Sequence, residues 1–221
     1  MPVALPSGSA REAAVTAMAD FQRRRKQGSR ERLLAAAIEA FSASGYFAVS
    51  VEDISSAAGV SRMTFYRHFS DKAAIAAELF RQNAAAAMPR FLAIGQRNFR
   101  DRRVVADWIA CLFAADRASR QLLRVFTQAN VDETGFTESA QTLIRDLIIG
   151  LGRTIPAFEI DPEKPADRRR WIEAWLLLYE ILDQGNHAAL GSGVAIDPMV
   201  TEILADRFVA FVGRGRSGNL E

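Results

Sequence analysis

The chain has 221 residues, 49% hydrophobic and 24% charged, with a formal charge of +2 and an isoelectric point near 9.0. That balance excludes a largely disordered chain and leaves room for one large helical domain, or for a small domain joined to a larger one. A single cysteine, Cys111, excludes an intramolecular disulfide, and no apolar run, Trp175 to Tyr179 among them, approaches the length a bilayer needs.

The basic residues are unevenly spread. Residues 1 to 72 hold ten Lys or Arg against seven Asp or Glu, a balance of +3, so the remainder carries −1. This asymmetry points the N-terminal part toward a polyanion. The opening MPVALPSGSAREAAV has neither the basic start nor the apolar run of a secretory signal, and the cytoplasm is the expected location. Residues 1–28 end in FQRRRKQG and are expected to form a mobile basic arm. The plain reading is a solvated tail; the functional one is an arm that touches phosphates or a minor groove.

From Ser29, a candidate N-cap, the pattern turns helical: Leu33, Leu34, Ala37, Ile38 and Phe41 share a face, and Gly45 terminates the run. A second helix opens at Ser50 with a capping box in SVED, carries Val51, Ile54, Ala57 and Ala58 inward, and ends at Gly59. Ser61 caps a third, from about Arg62 to Phe69. At 100° per residue, Phe65 and Phe69 lie within about 40° of each other and anchor one face. Met63, Thr64 and Arg67 point the opposite way, with Arg62 and Tyr66 on one flank and His68 on the other.

A fourth helix is expected after Ser70 as its cap, with Ile75 and Leu79 inward, running to Pro89 or kinking there. Further helices are expected near 101–116, 117–130, 137–155, 166–189 and 198–212, interrupted by the Pro-rich loop IPAFEIDPEKPAD. No repeat of fixed period and no sustained strand alternation is visible.

Two short helices around a glycine turn, the second with a polar outer face, form a helix-turn-helix, whose second helix is narrow enough for a DNA major groove. Arg62, Met63, Thr64 and Arg67 are the candidates for base edges. Tyr66, His68 and Lys72 are the candidates for phosphates, and Ser50 completes the DNA-binding set.

On the run RERLLAAAIEAFSASGYFAVSVEDISSAAGVSRMTFYRHFSDKAAI, the chain resembles the N-terminal domain of TetR-type transcriptional regulators, from about Arg30 to Ile75. FYRHF followed by Lys72 is the most specific part. Two positions depart from the pattern, Val49 where Thr is frequent and Met63 where small residues or Pro are common.

The resemblance implies an all-α protein with a DNA-binding domain over 29–75, an effector-binding and dimerisation domain over 76–213 and a flexible tail over 214–221. It implies a homodimer that represses transcription at a pseudo-palindromic operator and is released by an unidentified small molecule. Trp108, Cys111, Phe126, Trp175 and Tyr179 are candidates for lining the effector pocket. In WIEAWLLLYEIL, Glu173 and Glu180 form one narrow polar stripe on an otherwise apolar helix, which must be covered on more than one side. Trp171, Leu178, Leu182, Ile203, Phe208 and Phe211 are the candidate dimer contacts.

No catalytic set, metal site, cofactor or membrane partner is expected. Cys111 with His187 lacks an orienting acid and an oxyanion signature, so Cys111 is expected to be a small buried hydrophobe. The competing reading is a helical ligand carrier or enzyme whose N-terminal domain makes protein contacts.

Overall fold

In the computed structural model, the backbone is described for residues 8–132 and 134–214, and side chains for 26–129 and 141–214. Nine α-helices and no strand occur among the described residues. The chain divides into two compact units, Met1–Ile75 and Ala76–Glu221.

The first unit begins with α1 (Gly8–Ser44), a single helix of 37 residues. Ser29 is therefore not an N-cap, and the expected mobile arm is helical from residue 8 to 28. Residues 1–7 of that arm, and 215–221 of the expected tail, lie outside the described residues. The segment before Gly28 is rich in Ala, Arg, Lys, Gln and Glu, all good helix formers, and one internal glycine costs only about 1 kcal/mol. Ser29 instead bonds back within the helix, its hydroxyl donating to the Lys26 carbonyl at 2.8 Å. Gly45, at φ 81°, closes α1 and donates to the Phe41 carbonyl at 2.8 Å.

The helix α2 (Val51–Ala57) carries the expected capping box. The Asp53 carboxylate accepts from the Ser50 N–H (2.9 Å) and hydroxyl (2.6 Å), while Ser50 Oγ accepts from the Asp53 N–H (3.1 Å). Gly59, at φ 63°, ends the helix in a Schellman arrangement, with Val60 N–H on Ser55 O and Gly59 N–H on Ser56 O, both at 3.0 Å.

The third helix, α3 (Arg62–Tyr66), is capped by Ser61 and is shorter than the sequence suggests. The chain turns beyond Arg67, although Phe69 still donates to the Phe65 carbonyl at 2.9 Å. α4 (Lys72–Leu92) is capped by Asp71 rather than Ser70: Asp71 Oδ1 accepts from the Ala74 N–H at 2.7 Å, and Ser70 only donates to Asp71. α4 runs through Pro89 to Leu92, and the division between units falls within it.

Phe41, Tyr46, Ile54, Phe65 and Ile75 are almost wholly buried and form the core of the first unit, against which Phe69 also packs. Burying a side chain of this size contributes about 1.5–3 kcal/mol, enough to fix so short a helix as α3 in place.

The second unit contains α5 (Arg102–Ala118), α6 (Arg120–Asp132), α7 (Thr134–Gly152), α8 (Arg168–Leu190) and α9 (Met199–Gly213). α5 and α8 pack together and both pack on α9; α6 and α7 lie against α8. An aromatic chain binds the centre: Phe208 sits 5.4 Å from Trp108 and 5.8 Å from Phe158, which lies 4.8 Å from Phe211. The Arg168-Arg169-Arg170 run, whose cations oppose the α8 dipole, gains a reason here. Arg170 stacks 3.8 Å above the Phe211 ring and donates to the Phe211 carbonyl at the end of α9.

Candidate nucleic-acid interface

The outer face of α3 exists because its inner face is spent. Phe65 is fully buried, and its ring meets Phe69 at 5.9 Å, so the residues between them must face outward or sideways. Arg62, Met63 and Arg67 are exposed, Met63 by 78%, and Tyr66 is 47% exposed. Thr64 is half-buried; its N–H and hydroxyl both meet Ser61 Oγ, at 3.2 and 3.1 Å.

Beside this face is an open cleft of about 610 Å³. Lys26, Arg32 and Arg67 bring three cations to it, and Ser29, Ser61 and Thr64 bring hydroxyls. Lys26 and Arg32 come from α1 and stand outside the set expected from sequence; the RRRK cluster that holds Lys26 is the signal that could have found the first of them.

Arg62 is paired across the turn. Its Nη1 forms an ion pair with Glu52 of α2, and the neighbouring Tyr66 hydroxyl first and the Glu52 charge second raise its pKa. Glu52 too stands outside the expected set.

Three of the expected DNA contacts are engaged elsewhere. His68 is half-buried with Nε2 2.8 Å from Ser29 Oγ. Because the Ser29 hydroxyl proton goes to Lys26 O, the imidazole donates from Nε2–H. Burial first, then the charges of Arg67, Lys26 and Arg30, push the His68 pKa down and favour the neutral ring. His68 therefore ties the turn after α3 to α1.

Lys72 spends two of its three N–H donors on the Tyr46 carbonyl (3.0 Å) and the Val49 carbonyl (3.2 Å), with its ammonium 4.4 Å from the Tyr46 ring centroid. It braces the α1–α2 connection and keeps at most one donor for a phosphate. Ser50 spends its hydroxyl proton and its N–H on Asp53, whose carboxyl is thereby held below the usual carboxylate range.

The aromatic residues expected in an effector pocket fall into separate settings. Trp108 is buried against Phe208 and donates from Nε1 to the Arg90 carbonyl at 3.1 Å. Phe126 meets Phe80 edge to face at 5.3 Å, and Trp175 stacks on the half-exposed Tyr179 at 5.2 Å. Cys111 is exposed, contrary to expectation. It shares the outer face of α5 with Asp107, Ala110 and Ala114, opposite the buried Trp108, Leu112 and Phe113.

The expected dimer contacts also need correction. Leu178, Phe208 and Phe211 are buried in the core of their own unit, and Trp171 and Leu182 pack against it. Only Ile203 is exposed, by 45%. The outward apolar residues of α8 are Ile172, Leu176 and Tyr179, spaced i, i+4, i+7, with Met199 and Ile203 outward on α9. No helix among the described residues is long and apolar enough to cross a membrane.

Residues 33–79 match the family model described as bacterial regulatory proteins, tetR family. A Mesorhizobium loti MAFF303099 protein described as a TetR-family transcriptional regulator is similar in fold, with a TM-score of 0.57 at 16% identity over 84% of this chain and 97% of its own. Thermus thermophilus FadR, a TetR-family repressor solved with lauroyl-CoA, gives 0.56 at 18% identity over 87% of this chain and 97% of its own. Salmonella enterica GusR gives 0.55 at 17% identity over 84% and 95%. No curated protein matches significantly. Residues 33–79 therefore match the DNA-binding domain of bacterial regulatory proteins of the tetR family, and the chain around them is similar in its all-helical fold to these solved structures.

Proposed function

We infer that the protein is a sequence-specific DNA-binding regulator, a homodimeric repressor acting in the cytoplasm and released from its operator by a small molecule. The observation that carries this reading is the outer face of α3, where exposed Arg62, Met63 and Arg67 adjoin a cleft lined by cations from two helices. Arg67 and Arg62 read base edges, Met63 meets a thymine methyl, and Lys26 and Arg32 neutralise phosphates. The exposed stripe Ile172, Leu176 and Tyr179, with Ile203, is the face offered to a second copy. Two-fold pairing gives a pseudo-palindromic site whose half-sites lie one helical turn, or a multiple, apart.

Thermus thermophilus FadR holds lauroyl-CoA, which supports a small-molecule effector for the helical second unit here. Such an effector releases the operator only by binding the DNA-bound and free geometries unequally.

The test is titration of a labelled duplex from upstream of the protein's own gene at two salt concentrations, with sedimentation of the free protein. A steep loss of affinity with salt and a dimeric mass are expected. A monomer with no affinity for duplex at low salt sinks the reading.

A further inference from the structure

We propose that Glu52 is a positioning residue for DNA readout: it holds the Arg62 guanidinium in register for a guanine and sets part of the operator preference. The inference rests on the DNA-binding reading above and concerns a residue outside the expected recognition helix.

Glu52 is on α2 and Arg62 on α3, so their ion pair spans the two helices of the helix-turn-helix. Both side chains are more than half exposed, at 53% and 57%, and a pair so exposed contributes little to stability. Its consequence is geometric. An arginine side chain has many rotamers, and reading guanine O6 and N7 bidentately requires one planar orientation of the fork. The ion pair with Glu52 fixes that orientation before DNA arrives, so less side-chain freedom is lost on binding. The guanidinium has five N–H donors, which leaves enough for two parallel bonds to a base after Glu52 is served.

The charge has a second effect. With α3 in the groove, a carboxylate at Glu52 stands near the phosphates, where it repels unless Arg62 neutralises it. Glu52 therefore trades some affinity for every duplex against discrimination at one base pair. This makes the two residues interdependent: removing Arg62 both loses a base contact and uncovers a negative charge.

The experiment starts from duplexes that the wild-type dimer selects from a random pool, and measures affinity and base preference for Glu52→Gln, Glu52→Ala, Arg62→Ala and the double variant Glu52→Ala/Arg62→Ala. Arg62→Ala is expected to lower preference at one base pair per half-site about tenfold. Glu52→Ala is expected to lower the same preference about fivefold while raising affinity for unrelated duplexes. Glu52→Gln keeps an acceptor oxygen, so it should retain most of the preference and still gain general affinity. In the Glu52→Ala background, removal of Arg62 should cost less than half what it costs in wild type. Circular dichroism of each variant checks that α2 is intact. Unchanged base preference in Glu52→Ala, or strictly additive effects in the cycle, overturns the inference while leaving DNA binding standing. A wild-type protein that retains no duplex overturns the DNA-binding reading itself, and the inference with it.

Discussion

The two units solve opposite problems. The first holds a five-residue helix with its polar side outward, so it depends on caps, glycine turns and a few aromatic anchors: the Ser50–Asp53 box, Gly45 and Gly59 at positive φ, and Phe65 and Phe69 beneath α3. The second buries long helices against one another through a chain of aromatic contacts from Trp108 to Phe211. Local chemistry governs the first unit and packing over large sequence separations governs the second. That difference makes the units respond differently to the same kind of damage.

The sharpest way to break this contrast is Phe65→Ala. Phe65 is fully buried, and truncating a buried Phe costs about 3–5 kcal/mol. The first unit is expected to unfold separately, so thermal denaturation followed by circular dichroism should split into two steps, with DNA binding lost in the lower one. A single transition shifted as a whole would show that the two cores are one cooperative body.

A second perturbation is confined to the other unit. Asp116 on α5 lies against Gly185 of α8, where a Cβ would stand 2.5 Å from its Oδ2. Burial raises the Asp116 pKa to about 6, against the opposing charges of Arg90 and Arg117. Because the folded pKa is above the unfolded one, the associated stability is fully present below about pH 4 and is lost as pH rises through about 6. Asp116→Asn is therefore expected to match wild type near pH 4. At pH 8 it should exceed wild type by up to about 3 kcal/mol, because ionising the buried carboxyl costs about 1.4 kcal/mol for each pH unit between its unfolded and folded pKa. Urea midpoints at the two pH values check this; an equal difference at both would mean that the carboxyl is not the titrating group.

These contrasts also explain what can be read in advance. The fold class, the helix order, the capping box and the Phe65–Phe69 anchor follow from residues a few positions apart, and those are legible. The sequence assigns His68 and Lys72 to phosphates because nothing nearby in the chain consumes their donors. Their partners are Ser29, 39 residues away, and Tyr46 and Val49, 26 and 23 away. On α8 the periodicity marks an apolar helix with Glu173 and Glu180 on one stripe, but two apolar faces remain. Periodicity cannot tell that Leu177, Leu178 and Ile181 turn inward while Ile172, Leu176 and Tyr179 turn outward.

The smallest effect separates two lysines that the sequence alone presents as equivalent cations of the first unit. Lys72 is half-buried and bonded to two carbonyls, so Lys72→Ala leaves acceptors stranded and should cost about 1–3 kcal/mol of stability. Lys26 is exposed at the rim of the cationic cleft, so Lys26→Ala should leave the melting temperature nearly unchanged and weaken every duplex alike. The signature is the salt dependence: losing one phosphate contact reduces the slope of log K against log salt by about 0.9. Measured on a selected and a scrambled duplex, the drop should be the same for both, because a phosphate contact carries no sequence information. A drop seen only on the selected duplex would move Lys26 from the backbone to a base edge, and would require α1 to reach into a groove rather than along its wall.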